Sequence, residues 1–134
     1  MSFARTLVLL SATLVSTAAL AQQMRPGLWE FSMSGVPMKQ TICITPDMAK
    51  DPTSLGKDPQ MPDTDCKSSK PTVSGKTTSF TVSCTRPQKM HTKMTLTNNS
   101  PDSFTMKQDY DMEMGGQRHR GSTTMNYKRL GDCK

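Results

Sequence analysis

Phe104-Thr105-Met106-Lys107-Gln108-Asp109-Tyr110-Asp111-Met112-Glu113-Met114, then Gly115-Gly116, then Gln117-Arg118-His119-Arg120-Gly121-Ser122-Thr123-Thr124-Met125-Asn126-Tyr127 is the stretch that decides the fold. Even positions of the first half read Phe104, Met106, Gln108, Tyr110, Met112 and Met114. Odd positions read Thr105, Lys107, Asp109, Asp111 and Glu113. Successive strand residues point to opposite faces, so this alternation predicts a strand with an apolar and an ionic side. The Gly-Gly pair suits a two-residue I′ or II′ hairpin turn. Such a turn sets Met114 opposite Gln117, and every later pair follows. Met112 then faces His119, Tyr110 covers Gly121, Met106 meets Met125 and Phe104 meets Tyr127. On the reverse face Glu113 meets Arg118 and Asp111 meets Arg120. A slip of one residue would put both arginines among the methionines, so the pattern holds the register.

Outward from this hairpin, glycines, prolines and asparagines cut the chain into short pieces of the same period. Trp29, Phe31 and Met33 share one side of a first strand. After Ser34-Gly35-Val36-Pro37, a second carries Met38, Gln40, Ile42 and Ile44 on one face. Thr45-Pro46-Asp47-Met48-Ala49-Lys50 reads as an N-cap, a first-turn proline and one short helical turn. The stretch from Asp51 to Asp65 holds Pro52, Pro59 and Pro62 and reads as a loop. A third strand is expected near Lys67 to Val73. A fourth has Phe80, Val82 and Cys84 inside, and a fifth has Met90, Met94 and Leu96 on one face. The expected fold is mainly β: an antiparallel meander of about seven strands forming a curved sheet or open barrel. Trp29, Phe31, Phe80, Val82, Leu96 and the methionine stripe lie inside.

The N-terminus has a different character. Arg5 precedes an apolar run from Leu7 to Leu20, and the segment closes with Ala19-Leu20-Ala21. A basic start, a short apolar run and an A-x-A end describe a secretory signal peptide, cleaved between Ala21 and Gln22. Residues 1–21 are thus a leader and 22–134 a single β domain, without a transmembrane segment in the mature chain and periplasmic or secreted. Of 134 residues, 113 remain, with 16 Lys and Arg against 11 Asp and Glu, a charge of about +5. They include 12 Ile, Leu, Val and Phe, fewer than a domain of this size ordinarily uses to build a core, but also 11 Met and four Cys. In an oxidising space Cys43, Cys66, Cys84 and Cys133 form two disulfides. Zinc would want paired cysteines at close spacing or nearby histidines. The pairing Cys43–Cys66 with Cys84–Cys133 is expected, because the first closes the proline-rich stretch and the second pins the C-terminus to a central strand.

Candidate chemistry is sparse. There are two histidines, His91 and His119, and no G-x-S-x-G elbow, and disulfides leave no free thiol. Asp109, Asp111 and Glu113 share a face, but a catalytic carboxyl pair needs one raised pKa, and the arginines opposite would lower all three. The basic cluster at Arg118, Arg120, Lys128 and Arg129 lacks interleaved aromatic platforms, so nucleic acid is not an expected partner. The methionines are the informative feature. Met is a flexible apolar filler, and an alternating Met stripe reads first as core. Yet β-branched residues fit strands better, and this mature chain holds 11 Met beside 3 Val and 2 Ile. One reading is an adaptable apolar face, Trp29, Met94, Met106, Tyr110 and Met125, that holds an apolar ligand or an envelope protein without catalysis. The alternative is a Cu(I) site of Met112, Met114 and His119, soft thioethers with one imidazole. No other cofactor is expected.

Several residues together carry a resemblance. They are Gly27-Leu28-Trp29-Glu30, Thr41-Ile42-Cys43-Ile44-Thr45-Pro46, Asp65-Cys66-Lys67, the Met-rich hairpin and the closing Arg129-Leu130-Gly131-Asp132-Cys133. In this order they resemble the bacterial secreted proteins grouped as domain-of-unknown-function family 3617, over nearly all of the mature chain. The resemblance implies an exported, four-cysteine, mostly β domain, and it transfers no catalytic residue.

Overall fold

The computed structural model describes residues 24–56 and 65–134. The expected leader with its cleavage point, and residues 57–64 of the expected loop, lie outside the described residues. The described chain forms one antiparallel sheet of eight strands: β1 Gly27–Met33, β2 Lys39–Ile44, β3 Asp65–Ser68, β4 Thr72–Ser74, β5 Thr77–Arg86, β6 Met90–Ser100, β7 Ser103–Met114 and β8 Gln117–Gly131. A helical turn, α1 Pro46–Lys50, and a 3-10 helix, Pro52–Gly56, follow β2.

The sheet order is β2-β1-β8-β7-β6-β5-β3, with β4 also on β5. Strands β5 to β8 form a meander, because each link is a tight turn. The first strand docks beside the last, as in a closing barrel, but β2 and β3 do not pair. The sheet therefore stays open, and the gap falls at the one long connection, where α1 lies. The expected third strand is split into β3 and β4, both on β5. Pro71 lies in the break and has no N–H to give a ladder. This split, with the strand pairing at both edges, makes eight strands where about seven were expected.

The hairpin register is as the alternation predicts. Met114 pairs with Gln117, Met112 with His119, Tyr110 with Gly121, Met106 with Met125 and Phe104 with Tyr127. At Gly121 the Tyr110 ring closes over the backbone, where an added Cβ would sit 2.2 Å from the phenol oxygen. Thr45 caps α1, its Oγ1 accepting from Met48 N–H at 3.3 Å, with Pro46 opening the first turn.

One face of the sheet is the core. Trp29, Ile44, Phe80, Val82, Met94, Leu96, Phe104, Met106 and Tyr127 are buried, and Met48, Ala49 and Leu55 pack on them from above. An aromatic ladder ties β1 to β7 and β8. Trp29 meets Phe104 at 5.1 Å, Phe104 stacks on Tyr127 at 4.2 Å, and Tyr127 stacks on Phe31 at 5.3 Å. Each such pair adds about 0.5–1.5 kcal/mol beyond burial. Trp29 Nε1–H donates to the Arg25 carbonyl at 3.0 Å, so its one polar atom is satisfied.

The disulfides correct the expected pairing. They join Cys43 to Cys133 and Cys66 to Cys84. Cys66 and Cys84 are register partners on β3 and β5. Cys43 and the end of β8 flank β1 from its two sides, since Leu28 pairs with both Cys43 and Gly131. A Cys43–Cys66 bond would have to join the two opposite edges of the open sheet. Chain connectivity suggested that bond, and strand pairing forbids it.

Candidate functional site

The apolar face is a set of rows, each made of register partners on neighbouring strands. One row runs Met33, Met125, Met106, Leu96 across β1, β8, β7 and β6. The next holds Thr123, Gln108, Met94 and Phe80, and the next Gly121, Tyr110, Thr92 and Val82. Toward the hairpin tip comes the row His119, Met112, Met90, Cys84. Met114 stands beyond it, opposite Gln117.

Exposure rises along these rows. Trp29, Met94 and Met106 are buried, so these three expected face residues are floor rather than surface. Met33, Met90, Tyr110, Met112 and Met125 are half-buried, His119 is exposed, and Met114 is 53% exposed. The expected ligand set thus divides into buried residues and the half-buried Tyr110 and Met125. The expected copper set, Met112, Met114 and His119, lies together at the open end. Met90 shares this face, as its alternation implies, beside a copper set kept to Met112, Met114 and His119. The β6–β7 register shifts between Asn98 and Ser100, so the pairing of Met90 with Met112 could not be counted from the turn. Sequence reasoning missed Thr92, which is 1% exposed and whose Oγ1 has no hydrogen-bond partner among the described residues. Threonine alternating with methionine was its only trace in the sequence.

The reverse face is ionic. Arg118 clamps Asp111 with two hydrogen bonds, 2.7 and 2.6 Å, and Arg120 Nε adds a third at 3.0 Å. The expected Asp111–Arg120 contact is present. Arg118 prefers Asp111 over its register partner Glu113, because the planar fork there meets both carboxylate oxygens. The Arg118 bond holds the Asp111 carboxyl down at about 2. Asp109 is also lowered, first by its hydrogen bond with Ser122 and then by Lys107 at 3.0 Å. His91 points to this face and shares a 2.8 Å hydrogen bond between its Nδ1 and Ser83 Oγ. A cleft of about 370 Å³ at this end is lined mainly by Lys89, His91, Asp111, Glu113 and Arg118, with Cys84 and Met90 also bordering it. Among the described residues no three His, Cys, Asp or Glu side chains are grouped for a metal. No helix among them is long and apolar enough to cross a membrane.

At the opposite end the first and last described segments interlock. Gly27 takes a positive φ of 143° against the Gly131 carbonyl, which an added Cβ would approach to 2.3 Å. Arg129 Nε–H donates to the Pro26 carbonyl at 3.0 Å, and its guanidinium pairs with Asp132. The Cys43–Cys133 disulfide lies beside them, around a cleft of about 410 Å³. The opening and closing segments that carried the family resemblance therefore meet in space and act as one structural clasp.

No curated protein and no solved structure matches this chain. The family model for a protein of unknown function, DUF3617, matches residues 24–133, nearly all that the structure describes. The chain belongs to that family.

Proposed function

We propose that the protein is an exported, non-catalytic binding module that holds an apolar ligand, or the apolar side of an envelope protein, on the open end of its methionine face. The observation that supports this most is the rise in exposure along one face, from Met94 and Met106 at 3% to Met114 at 53%. Buried thioethers there act as a packed floor, and the outer ones as an adaptable surface, since Met reshapes easily around varied partners. The lowered Asp109 and Asp111 favour a non-catalytic role, because a general acid needs a raised carboxyl. Two disulfides favour an oxidising compartment, in keeping with the expected leader at residues 1–21.

The test is titration with N-phenyl-1-naphthylamine, an uncharged apolar dye that fluoresces when sheltered. Saturable enhancement is expected, and Met112→Gln with Met114→Gln removes it. Val73→Gln, at an exposed apolar position on β4, leaves it intact. Equal response in all three proteins refutes the reading. A second reading, a Cu(I) site using Met112, Met114 and His119, is favoured by one observation. Met112 and His119 are register partners at the accessible end, so a thioether and an imidazole stand side by side.

A further inference from the structure

We infer that the third ligand of a Cu(I) site on this face is Met90, and that Met114 lies outside it; this rests on the copper reading above. Three strands bring the residues into one row. Met90 pairs with Met112 across β6 and β7, and Met112 with His119 across β7 and β8. Directly opposed side chains start about 4.5–5.5 Å apart at Cβ, so Met112 has one donor close on each side. Met114 shares a strand with Met112 but stands two residues on, about 6.7 Å along the chain, opposite Gln117.

The surroundings agree. Met112 and Met90 are half-buried and His119 is exposed, so the row is reachable from solvent without being loose. The fourth member of the row, Cys84, is bonded to Cys66 and offers no thiolate. The competing carboxylates and the second imidazole are engaged on the reverse face. Asp111 is held by Arg118 and Arg120 on the reverse face, Glu113 shares that face, and His91 is bonded to Ser83. A donor set of two thioethers and one imidazole, with no carboxylate, selects a soft monovalent ion over Zn(II), Mg(II) or Ca(II). Met side chains have three free torsions, enough for two sulfurs and a ring nitrogen to converge over Met112.

The test is anaerobic Cu(I) titration in competition with a chromophoric Cu(I) chelator. Met90→Leu and Met112→Leu should each weaken binding about tenfold or more, and Met114→Leu by less than about twofold. A second arm labels the methionine methyl groups with ¹³C in the unaltered protein and adds Ag(I), a diamagnetic stand-in for Cu(I). The Met90 and Met112 methyls should shift, while those of Met94, Met106 and Met114 hold still. This arm decides the matter even if a variant folds poorly. If Met90→Leu binds like the parent while Met112→Leu and Met114→Leu are weakened, the Met90 assignment falls and the copper reading stands. If the parent itself binds no Cu(I), both fall.

Discussion

Truncating Met106 and Met114 to alanine should give very different losses of stability, although the two residues share a strand and a face. Met106 is 3% exposed, with Leu96 and Met125 as its register partners. Its truncation removes three side-chain groups from the core, about 2.4 kcal/mol of transfer free energy at about 0.8 per group. The cavity left behind raises the loss to about 3–4 kcal/mol. Met114 is 53% exposed and leaves no enclosed cavity, so its loss should stay within about 0.5–1 kcal/mol. A domain of this size is stabilised by about 5–15 kcal/mol in all, so the first change is severe and the second slight. Urea unfolding followed by Trp29 reads both. It is the chain's one tryptophan and is 1% exposed, so its emission reports loss of the core. With a slope near 2 kcal/mol per molar, Met106→Ala should lower the midpoint by about 1.5–2 M and Met114→Ala by under about 0.5 M. Equal losses at the two sites would mean that the hairpin end is as packed as the centre, and the binding surface would vanish with the contrast.

Thr92→Val should be neutral or stabilising by about 1 kcal/mol, since it removes a buried hydroxyl with no partner and keeps the shape. A loss above about 1 kcal/mol in the same urea assay would show that the hydroxyl is satisfied in solution. Alkali should destabilise the domain through Tyr127, whose burial pushes its phenol up to about 12 from the ordinary 10. The folded value lies above the unfolded one, so this contribution is whole below pH 10. It is lost as pH rises toward 12, about 2–3 kcal/mol in all, and Tyr127→Phe should flatten the decline in unfolding midpoint. Replacing Cys66 and Cys84 with alanine opens a loop of 18 residues and should cost about 3 kcal/mol, and replacing Cys43 and Cys133 opens one of 90 and should cost between about 4 and 5. Non-reducing peptide mapping checks the connectivity first, and a Cys43–Cys66 peptide would contradict the fold.

What the sequence disclosed was set by short-range chemistry. Gly115-Gly116 and strict alternation fix β7 against β8 residue by residue, and Thr45-Pro46 fixes α1. What stayed hidden depends on distant pairings. Nothing local says that β1 docks beside β8, an arrangement held by the Trp29, Phe104 and Tyr127 rings and by the Gly27–Gly131 contact. The Cys43–Cys133 bond follows from that docking and the Cys66–Cys84 bond from the β3–β5 pairing, which is why loop closure pointed to other partners. The candidate site divides the same way. Met112 opposite His119 follows by counting from the Gly-Gly turn, whereas Met90 joins their row through the β6–β7 hairpin, whose register shifts between Asn98 and Ser100 and so cannot be counted from its turn. Burial of Trp29, Met94 and Met106, against exposure of Met114, depends on what α1 and the sheet cover, and period-two patterning is blind to it.

Solvent access to each methionine is the most direct measure of the face. With ¹³C-labelled methyl groups and a soluble paramagnetic agent, the Met114 signal should broaden first, Met90 and Met112 next, and Met94 and Met106 last. A Met114 methyl as sheltered as that of Met106 would contradict the account.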